Sequence, residues 1–350
     1  MYPEVSIIIL NWNGWKDTIE CLESLYQINY PNYTVIIADN ASEDDSINKI
    51  KKYCKGKIKT ESKFFKFNIE NKPIKIVEFS EKETKKSSPP KKEFLNMPSN
   101  KKLILIKNDK NYGFAEGNNI PMRYALKALK TEYILLLNND TVVKPEFLNE
   151  LIDVGECNEK VGILGPKLLN AYDTNIIDSA GHVIKWGRIV DRGHGEVDNG
   201  QYDHDNKVIG AMAAASLYKS KMLVNIGLFD KSYITLYEDA ELSWRANKKG
   251  WNARSVPNSI VYHKRGQSIR KKDIITEMMV LSTKNTVKTV LLYGSSFQRF
   301  LFTFTLLKEC FDIIKNKIKN KSDVKIFSYI MLIIKYYFKV ILSLFKRNNN

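Results

Sequence analysis

Leu135-Leu136-Leu137-Asn138-Asn139-Asp140-Thr141-Val142-Val143-Lys144-Pro145 closes an apolar run that opens at Tyr133. An unbroken apolar run of this length reads as a strand buried on both faces of a sheet. Ligands of open α/β sheets gather where such strands end. Asp140 therefore stands on rigid backbone at the mouth of a cleft, where a divalent cation or a diphosphate would need a carboxylate. Alone, these residues also describe a strand followed by an Asn-Asp turn. The neighbouring segments decide between the two.

Outward from that stretch, residues 5–10 read as a strand. Residues 15–26 read as an amphipathic helix with Ile19, Leu22 and Leu25/Tyr26 on one face. Residues 33–38 form a second buried strand and residues 103–106 a third, and a helix over about 120–129 leads into the fourth at Tyr133. Strands spaced by helical segments predict an α/β fold with a Rossmann-like, mostly parallel, doubly wound sheet flanked by helices. Asn11 follows the first strand, Asp39-Asn40 the second, and Asn138-Asn139-Asp140 the fourth. In a parallel sheet these groups share one edge.

Three further segments bear on that edge. Asn111-Tyr112-Gly113-Phe114-Ala115-Glu116-Gly117-Asn118-Asn119 lies between the third and fourth strands. Its glycines permit close backbone approach, and amides opening the next helix can meet an anion; a turn without a ligand is the alternative. Asp178-Ser179-Ala180-Gly181 comes later. Then Tyr237-Glu238-Asp239-Ala240-Glu241-Leu242-Ser243-Trp244-Arg245 crowds acid at a helix start, with Leu242 and Ala246 as core positions. Acid there suits the helix dipole, or one carboxylate serves as a general base beside the cleft.

The chain has 350 residues, enough for one large domain with additions or for two domains. No export-signal pattern is read at its start. Cys21, Cys54, Cys157 and Cys310 stand far apart, with no zinc-like spacing, and are expected as free thiols in a reducing cytoplasm. The net charge is +16, but its location matters more. Residues 55–102 hold fourteen lysines against six acids, and residues 284–350 hold thirteen Lys or Arg against three. The remaining core is close to neutral, which argues against a nucleic-acid enzyme, whose cleft is usually basic. Within the lysine-rich insert, Ser87-Ser88-Pro89-Pro90-Lys91-Lys92 reads as a mobile loop. Residues 64–67 and 74–79, joined through Asn71-Lys72-Pro73, predict a small solvated hairpin, not a nucleic-acid surface.

Taken in order, these motifs resemble family 2 glycosyltransferases with the GT-A fold, in the rhamnosyltransferase-like branch. Val5-Ser6-Ile7-Ile8-Ile9-Leu10-Asn11-Trp12-Asn13-Gly14 resembles the family's opening, and Ala38-Asp39-Asn40-Ala41-Ser42-Glu43-Asp44 its nucleotide-binding turn. The segment from Asn111 resembles its asparagine–glycine–phenylalanine–alanine stretch. Asn138-Asn139-Asp140 stands at the aspartate–x–aspartate metal motif, and Tyr237-Glu238-Asp239 at the glutamate–aspartate pair carrying the base. Val256-Pro257 and Val261-Tyr262-His263 resemble the closing strand, whose histidine can reach the metal. The likeness spans residues 5–265.

The resemblance implies inverting transfer of a sugar from a nucleoside diphosphate to a hydroxyl of a glycan or a polyprenyl-linked saccharide. It implies that Asn11, Asp39, Asn40, Gly113, Asn118, Asn138 and Asn139 bind the nucleotide-sugar. Asp140 and His263 would hold Mn2+ or Mg2+, Asp239 would be the general base, and Glu238 would orient the acceptor or the base. Gly210-Ala211-Met212-Ala213-Ala214-Ala215 resembles a small-residue strand flooring the acceptor side. Two positions depart from the pattern. Asn138 replaces an aspartate, which weakens the metal site without abolishing it. Pro121 stands where a small residue is common, and it suits a helix's first turn.

The expected organisation is a GT-A domain over residues 1–270, including the insert, and a helical C-terminal region over 271–350. Residues 324–345 are apolar, and Lys325, Ser328, Lys335, Lys339, Ser343 and Lys346 fall within an arc of roughly 80° on a helix. Such a stripe reads as a helix lying in the membrane interface. That predicts a cytoplasmic enzyme, peripheral on the inner face of the cell membrane and near a lipid-linked acceptor. The alternative is a helix packed on the catalytic domain or on a second subunit, as in a homodimer. Residues 286–314 are expected as a companion helix. Two rival functions are a non-catalytic nucleotide-sugar-binding or scaffold protein of a glycan-assembly complex and a nucleotidyltransferase. The retained Asp140 and Asp239 argue against the first, and the lack of basic phosphate-gripping residues near Asn11 against the second.

Overall fold

The structure is a computed structural model that describes residues 2–265, 272–320 and 335–338. In chain order its strands are β1 (Val5–Asn11), β2 (Tyr33–Asp39), β3 (Lys75–Ser80), β4 (Lys102–Lys107), β5 (Tyr133–Leu137), β6 (Thr141–Val143), β7 (Val161–Asn170), β8 (Ile177–Ser179), β9 (His182–Lys185), β10 (Arg188–Asp191), β11 (Lys207–Val208), β12 (Ala215–Lys219) and β13 (Asn252–His263). The helices are α1 (Trp15–Leu25), α2 (Ser46–Cys54), α3 (Glu81–Lys85), α4 (Lys92–Leu95), α5 (Gly113–Tyr124), α6 (Phe147–Glu156), α7 (Ser220–Ile226), α8 (Glu238–Lys248), α9 (Lys272–Tyr293) and α10 (Ser296–Asn320).

The main sheet runs β11-β13-β7-β12-β5-β1-β2-β4-β3, with β6 on β13 and β8 on β7; β9 and β10 form a separate hairpin. Strands β3, β4, β2, β1 and β5 are parallel throughout. β12 runs antiparallel to β5 and β7. The expected mostly parallel sheet is present, and its unbroken apolar runs have a simple cause. Val5, Ile7 and Ile9 face one core with Ile19, Leu22 and Leu25 of α1. Ile8 faces the other, with Ile36, Ile104, Leu136 and the α5 residues Ala115 and Met122. Both faces are covered, so neither permits polar alternation. Each fully buried isoleucine or leucine stabilises by about 1.5–3 kcal/mol.

Because β12 is antiparallel, its beginning meets the end of β5. Ala215 pairs with Leu137, and Asn138 N–H donates to the Ala214 carbonyl at 2.8 Å. This brings the 210–214 segment to the edge that carries Asn11, Asp39 and Asp140. Only Ala215 of the expected small-residue strand is in a strand; residues 210–214 form an irregular approach to it.

Other expectations are corrected. The insert forms no hairpin: residues 64–67 are not a strand, and β3 instead extends the main sheet as a parallel neighbour of β4. Buried Ile74 and Phe94 and a buried Lys72–Glu23 ion pair at 2.8 Å anchor the insert to the domain. The helix expected over about 120–129 begins earlier, at Gly113, and passes into a π turn over Ala125–Leu129. Pro121 is therefore buried in the helix interior, not in its first turn. The 286–314 segment spans two helices that break at Gly294-Ser295. Cys21, Cys54 and Cys157 are free thiols.

The two C-terminal helices are built onto the fold. Val287, Val290 and Leu291 of α9 and Phe302 and Leu306 of α10 share one apolar cluster with Ala240 and Trp244 of α8 and Ile189 of β10. The expected tail helix over 324–345 lies outside the described residues except for 335–338, where Tyr337 meets Thr303 of α10 at 2.5 Å. Among the described residues no helix is long and apolar enough to cross a membrane.

Candidate active site

The end of β1 is tied to the end of β2. Asn11 Nδ2 donates to Asp39 Oδ1 at 2.8 Å and to Ser42 Oγ at 3.0 Å, while its Oδ1 accepts from Thr18 Oγ1 at 2.7 Å. Asp39 also accepts from the Ser42 hydroxyl at 2.7 Å and the Ser42 N–H at 3.0 Å. Asn40 fixes the next loop: its Nδ2 donates to Asn111 Oδ1 and the Gly113 carbonyl, and its Oδ1 accepts from Asn108 and Tyr112. Gly113 has φ +73°, and a Cβ there would lie 2.7 Å from the Ile234 carbonyl oxygen. These four predicted residues therefore converge. Asn118 does not join them; it is buried in α5, where its amide donates to the Phe114 carbonyl at 2.9 Å.

Beyond β5, Asn139 turns back to Thr18 at 3.1 Å, whereas Asn138 lines the cleft. Asp140 Oδ1 lies 3.3 Å from His263 Nε2, and the ring's other nitrogen lies 2.7 Å from Asp178 Oδ2. Asp178 Oδ1 accepts from Arg265 at 2.6 Å, Arg265 reaches Asp191 at 3.5 Å, and Asp191 lies 3.4 Å from His182 Nε2. Acids and basic groups thus alternate along a series that reaches the cleft at Arg265, Asp191 and His182. Burial works against charge on His263, but Asp140 and Asp178 outweigh it and push its pKa up to about 9. Burial likewise opposes the Asp191 carboxylate, yet His182 and Arg265 hold its pKa down at about 2.

Asp140 and His263 suit a divalent cation in donor type once the ring gives up its Nε2 proton: one carboxylate and one imidazole whose far nitrogen is backed by a second carboxylate. Among the described residues no three His, Cys, Asp or Glu side chains converge on one point. A cation held by this pair would need further donors, such as phosphate oxygens and water, to complete its coordination.

The opposite wall is the start of α8. Asn138, His182, Asp191, Glu238, Asp239 and Arg265 line a cavity of about 270 Å3. Asp239 is half-buried; its Oδ2 accepts from Ala213 N–H at 2.9 Å and its Oδ1 from Ala240 N–H at 2.7 Å. Glu238 is buried, and its Oε2 has no hydrogen-bond partner. Burial, then the neighbouring Asp239 charge, raises its pKa well above the ordinary value, which favours the protonated form, able to donate a hydrogen bond.

The loop before α8 is strained. Ile234, Leu236 and Tyr237 have φ of +61°, +65° and +73°. Such residues cost about 1–3 kcal/mol each and persist only when their surroundings impose them. Here Asn285 of α9 donates to the carbonyls of Tyr233, Thr235 and Leu236 at 3.0, 3.1 and 2.7 Å. The Tyr237 hydroxyl grips both the N–H and the C=O of Ile189 in β10. Sequence reasoning assigned no role to Asp178, His182, Asp191, Arg265 or Asn285. Asp178 alone left a signal, as a short acid following the apolar pair Ile176-Ile177.

Comparison with known proteins bears on the family and the fold. A family model described as "Glycosyltransferase like family 2" matches residues 67–276, and one described as "Glycosyl transferase family 2" matches residues 6–88. The low-salt glycan biosynthesis hexosyltransferase Agl10 of Haloferax volcanii is 25% identical over 146 residues, covering 41% of this chain and 45% of that relative. This chain thus spans less than half the length of the curated relative it matches. Among solved structures, TarS 1–349 of S. aureus in complex with UDP-GlcNAc aligns with a TM-score of 0.54 at 13% identity, over 96% of this chain and 81% of that one. The mannosyltransferase PcManGT of Pyrobaculum calidifontis, in complex with GDP-Man and Mn2+, aligns at 0.51 and 12% identity, over 98% and 87%. GalNAc-T7 with UDP, GalNAc and Mn2+ aligns at 0.53 and 14% identity, over 83% and 48%. At such identities the likeness is one of fold, and that fold is GT-A.

Proposed function

The chain belongs to glycosyltransferase family 2, and on that premise we propose that it moves a hexosyl or deoxyhexosyl unit, with inversion, from a nucleoside-diphosphate sugar to a hydroxyl of a glycan or polyprenyl-linked saccharide. The observation that carries this reading is the single cavity shared by Asn138, two residues before Asp140, and by Asp239 at the start of α8. A leaving diphosphate and an accepting base need to face each other across such a space.

In this reading Asp239 takes the proton from the acceptor hydroxyl as that oxygen attacks the sugar carbon. Two backbone N–H donors aim its carboxylate, and a positioned base contributes about 10²–10⁴-fold. Glu238, whose protonated form burial favours, orients the acceptor by donating a hydrogen bond. Asn11, Asp39 and Asn40 shape the nucleoside end, with Gly113 permitting close approach, and Asn138 and Asn139 shape the diphosphate end. Asn118 supports the nucleoside end from within α5, whose Gly117 packs against Asn40. Asp140 and His263 would hold Mn2+ or Mg2+, whose Lewis acidity would offset charge on the departing diphosphate. The order of motifs supports the rhamnosyltransferase-like branch. The cationic, apolar tail supports placement on the inner face of the cell membrane, and a catalytic domain over residues 1–270 with a helical region after it.

The test is purified protein with manganese against a panel of nucleotide-sugars, read by donor hydrolysis and thermal shift. Turnover or stabilisation by a member of the panel is expected. A protein that binds donors yet never transfers or hydrolyses them would instead be the non-catalytic binding protein.

A further inference from the structure

Helix α10 uses only part of its circumference. Phe302 and Leu306 pack with Val287, Val290 and Leu291 of α9. On that side the β9–β10 hairpin also meets it: Arg188 pairs with Glu309 at 2.9 Å, and Gly187 abuts the backbone at Gln298 and Phe302. Away from these contacts, Phe297, Phe300, Phe304, Leu307 and Phe311 are each between 58% and 68% exposed. Their alternating spacing of three and four keeps them on one helix face. Scattered exposed apolar residues are ordinary, but an aligned stripe dominated by phenylalanine marks an interaction surface.

A second copy of the chain fits this stripe poorly. Counting Phe297 as the first seam position, the flanking positions with described side chains hold Leu301, Thr303 and Lys308. None is acidic, so a second copy would offer Lys308 no carboxylate there, where a coiled coil sets opposite charges across its seam. The seam of such a pair also favours leucine, isoleucine or valine.

An anionic lipid surface fits it well. Lys308 is exposed one turn beyond Phe304, and residues 284–350 carry thirteen Lys or Arg against three acids. An amphipathic helix in the interface buries its aromatic face among the acyl chains and sets lysines against anionic headgroups. We propose that this stripe docks the folded enzyme on an anionic bilayer. The stripe belongs to the fold: α10 packs on α9, which clamps the loop before Asp239 through Asn285. Docking through α10 therefore fixes the orientation of the cleft over the lipid. That use, presenting a lipid-linked acceptor, rests on the transferase reading; the docking itself does not.

The full chain is sedimented with vesicles of phosphatidylcholine alone and of phosphatidylcholine mixed with phosphatidylglycerol. Binding to the mixed vesicles that weakens with salt is expected. The Phe300→Ser/Phe304→Ser/Phe311→Ser variant, whose exposed positions leave its melting temperature unchanged, is expected to lose about tenfold or more in partition. Lys308→Glu is expected to weaken binding to the mixed vesicles with the stripe intact. Undiminished binding by the triple variant overturns the proposal, as does a dimer in sedimentation velocity that the serine substitutions dissolve. UDP and GDP binding with manganese, measured on the same preparations, reports separately on the transferase reading.

Discussion

His263 Nδ1 stands 2.7 Å from Asp178 Oδ2, although 85 residues separate them in the chain. The contact fixes the ring so that Nε2 faces Asp140. Asp178 simultaneously neutralises Arg265, so one carboxylate orders two cations beside the cleft.

Asp178→Asn is the direct test of that arrangement. The amide keeps the shape but removes the charge backing the imidazole, and partners of this kind are typically worth about 10–100-fold in metal affinity. Manganese titration in the presence of UDP is expected to show such a drop. An unchanged affinity would remove His263 from the proposed metal site.

Asp239→Asn tests the base. The single amide oxygen can still accept from one of the two backbone N–H groups, so the fold and donor binding should persist. Transfer to acceptor is expected to fall by about 10²–10⁴-fold in kcat, with the donor KM little changed. Full transfer by this variant would require another base.

Much of this site was visible in the sequence, and what was missed shares a cause. Residues that end buried strands, such as Asn11, Asp39 and Asp140, announce themselves because an apolar run stops on a polar group. Asp191 and His182 sit on a two-strand hairpin whose positions are mostly exposed or half-buried, so no apolar run frames them. Arg265 follows the last strand as one basic residue among many. Asn285 lies within a helix whose polar side chain meets a loop some fifty residues away. Such pairings depend on tertiary packing, which periodicity does not record. The insert failed differently. Its apolar residues suggested a hairpin, but the exposed edge of β4 and the buried Lys72–Glu23 pair drew it into the main sheet.

Glu238→Gln tests the neutral acid. The folded-state pKa lies above the ordinary value of 4.5 because burial and Asp239 disfavour the charged form. The unfolded chain therefore releases this proton first as pH rises. The stabilising contribution is complete below the unfolded pKa and is lost as pH climbs through the folded one. Glutamine removes this dependence, so the variant should gain stability relative to the parent as pH rises from about 4.5 toward neutrality. Paired denaturant melts across that range measure it. A constant difference at every pH would mean that Glu238 titrates normally.

Asn285→Ala tests whether the C-terminal helix is part of the catalytic machinery. The Asn285 amide lies within 3.1 Å of three carbonyl oxygens in the loop that carries the left-handed Ile234 and Leu236. Removing it leaves buried acceptors without a donor, at about 1–3 kcal/mol, and frees the strained backbone to relax. Relaxation moves the start of α8, and with it Asp239, away from the Ala213 N–H that now orients the carboxylate. The variant is expected to lose about 2 kcal/mol in urea melts and to show lower kcat, with nucleotide binding unchanged because Asn11 and Asp39 lie outside the loop. Lost stability with full kcat would reduce Asn285 to a packing residue. Lost nucleotide affinity would mean that the loop and the nucleoside end move together.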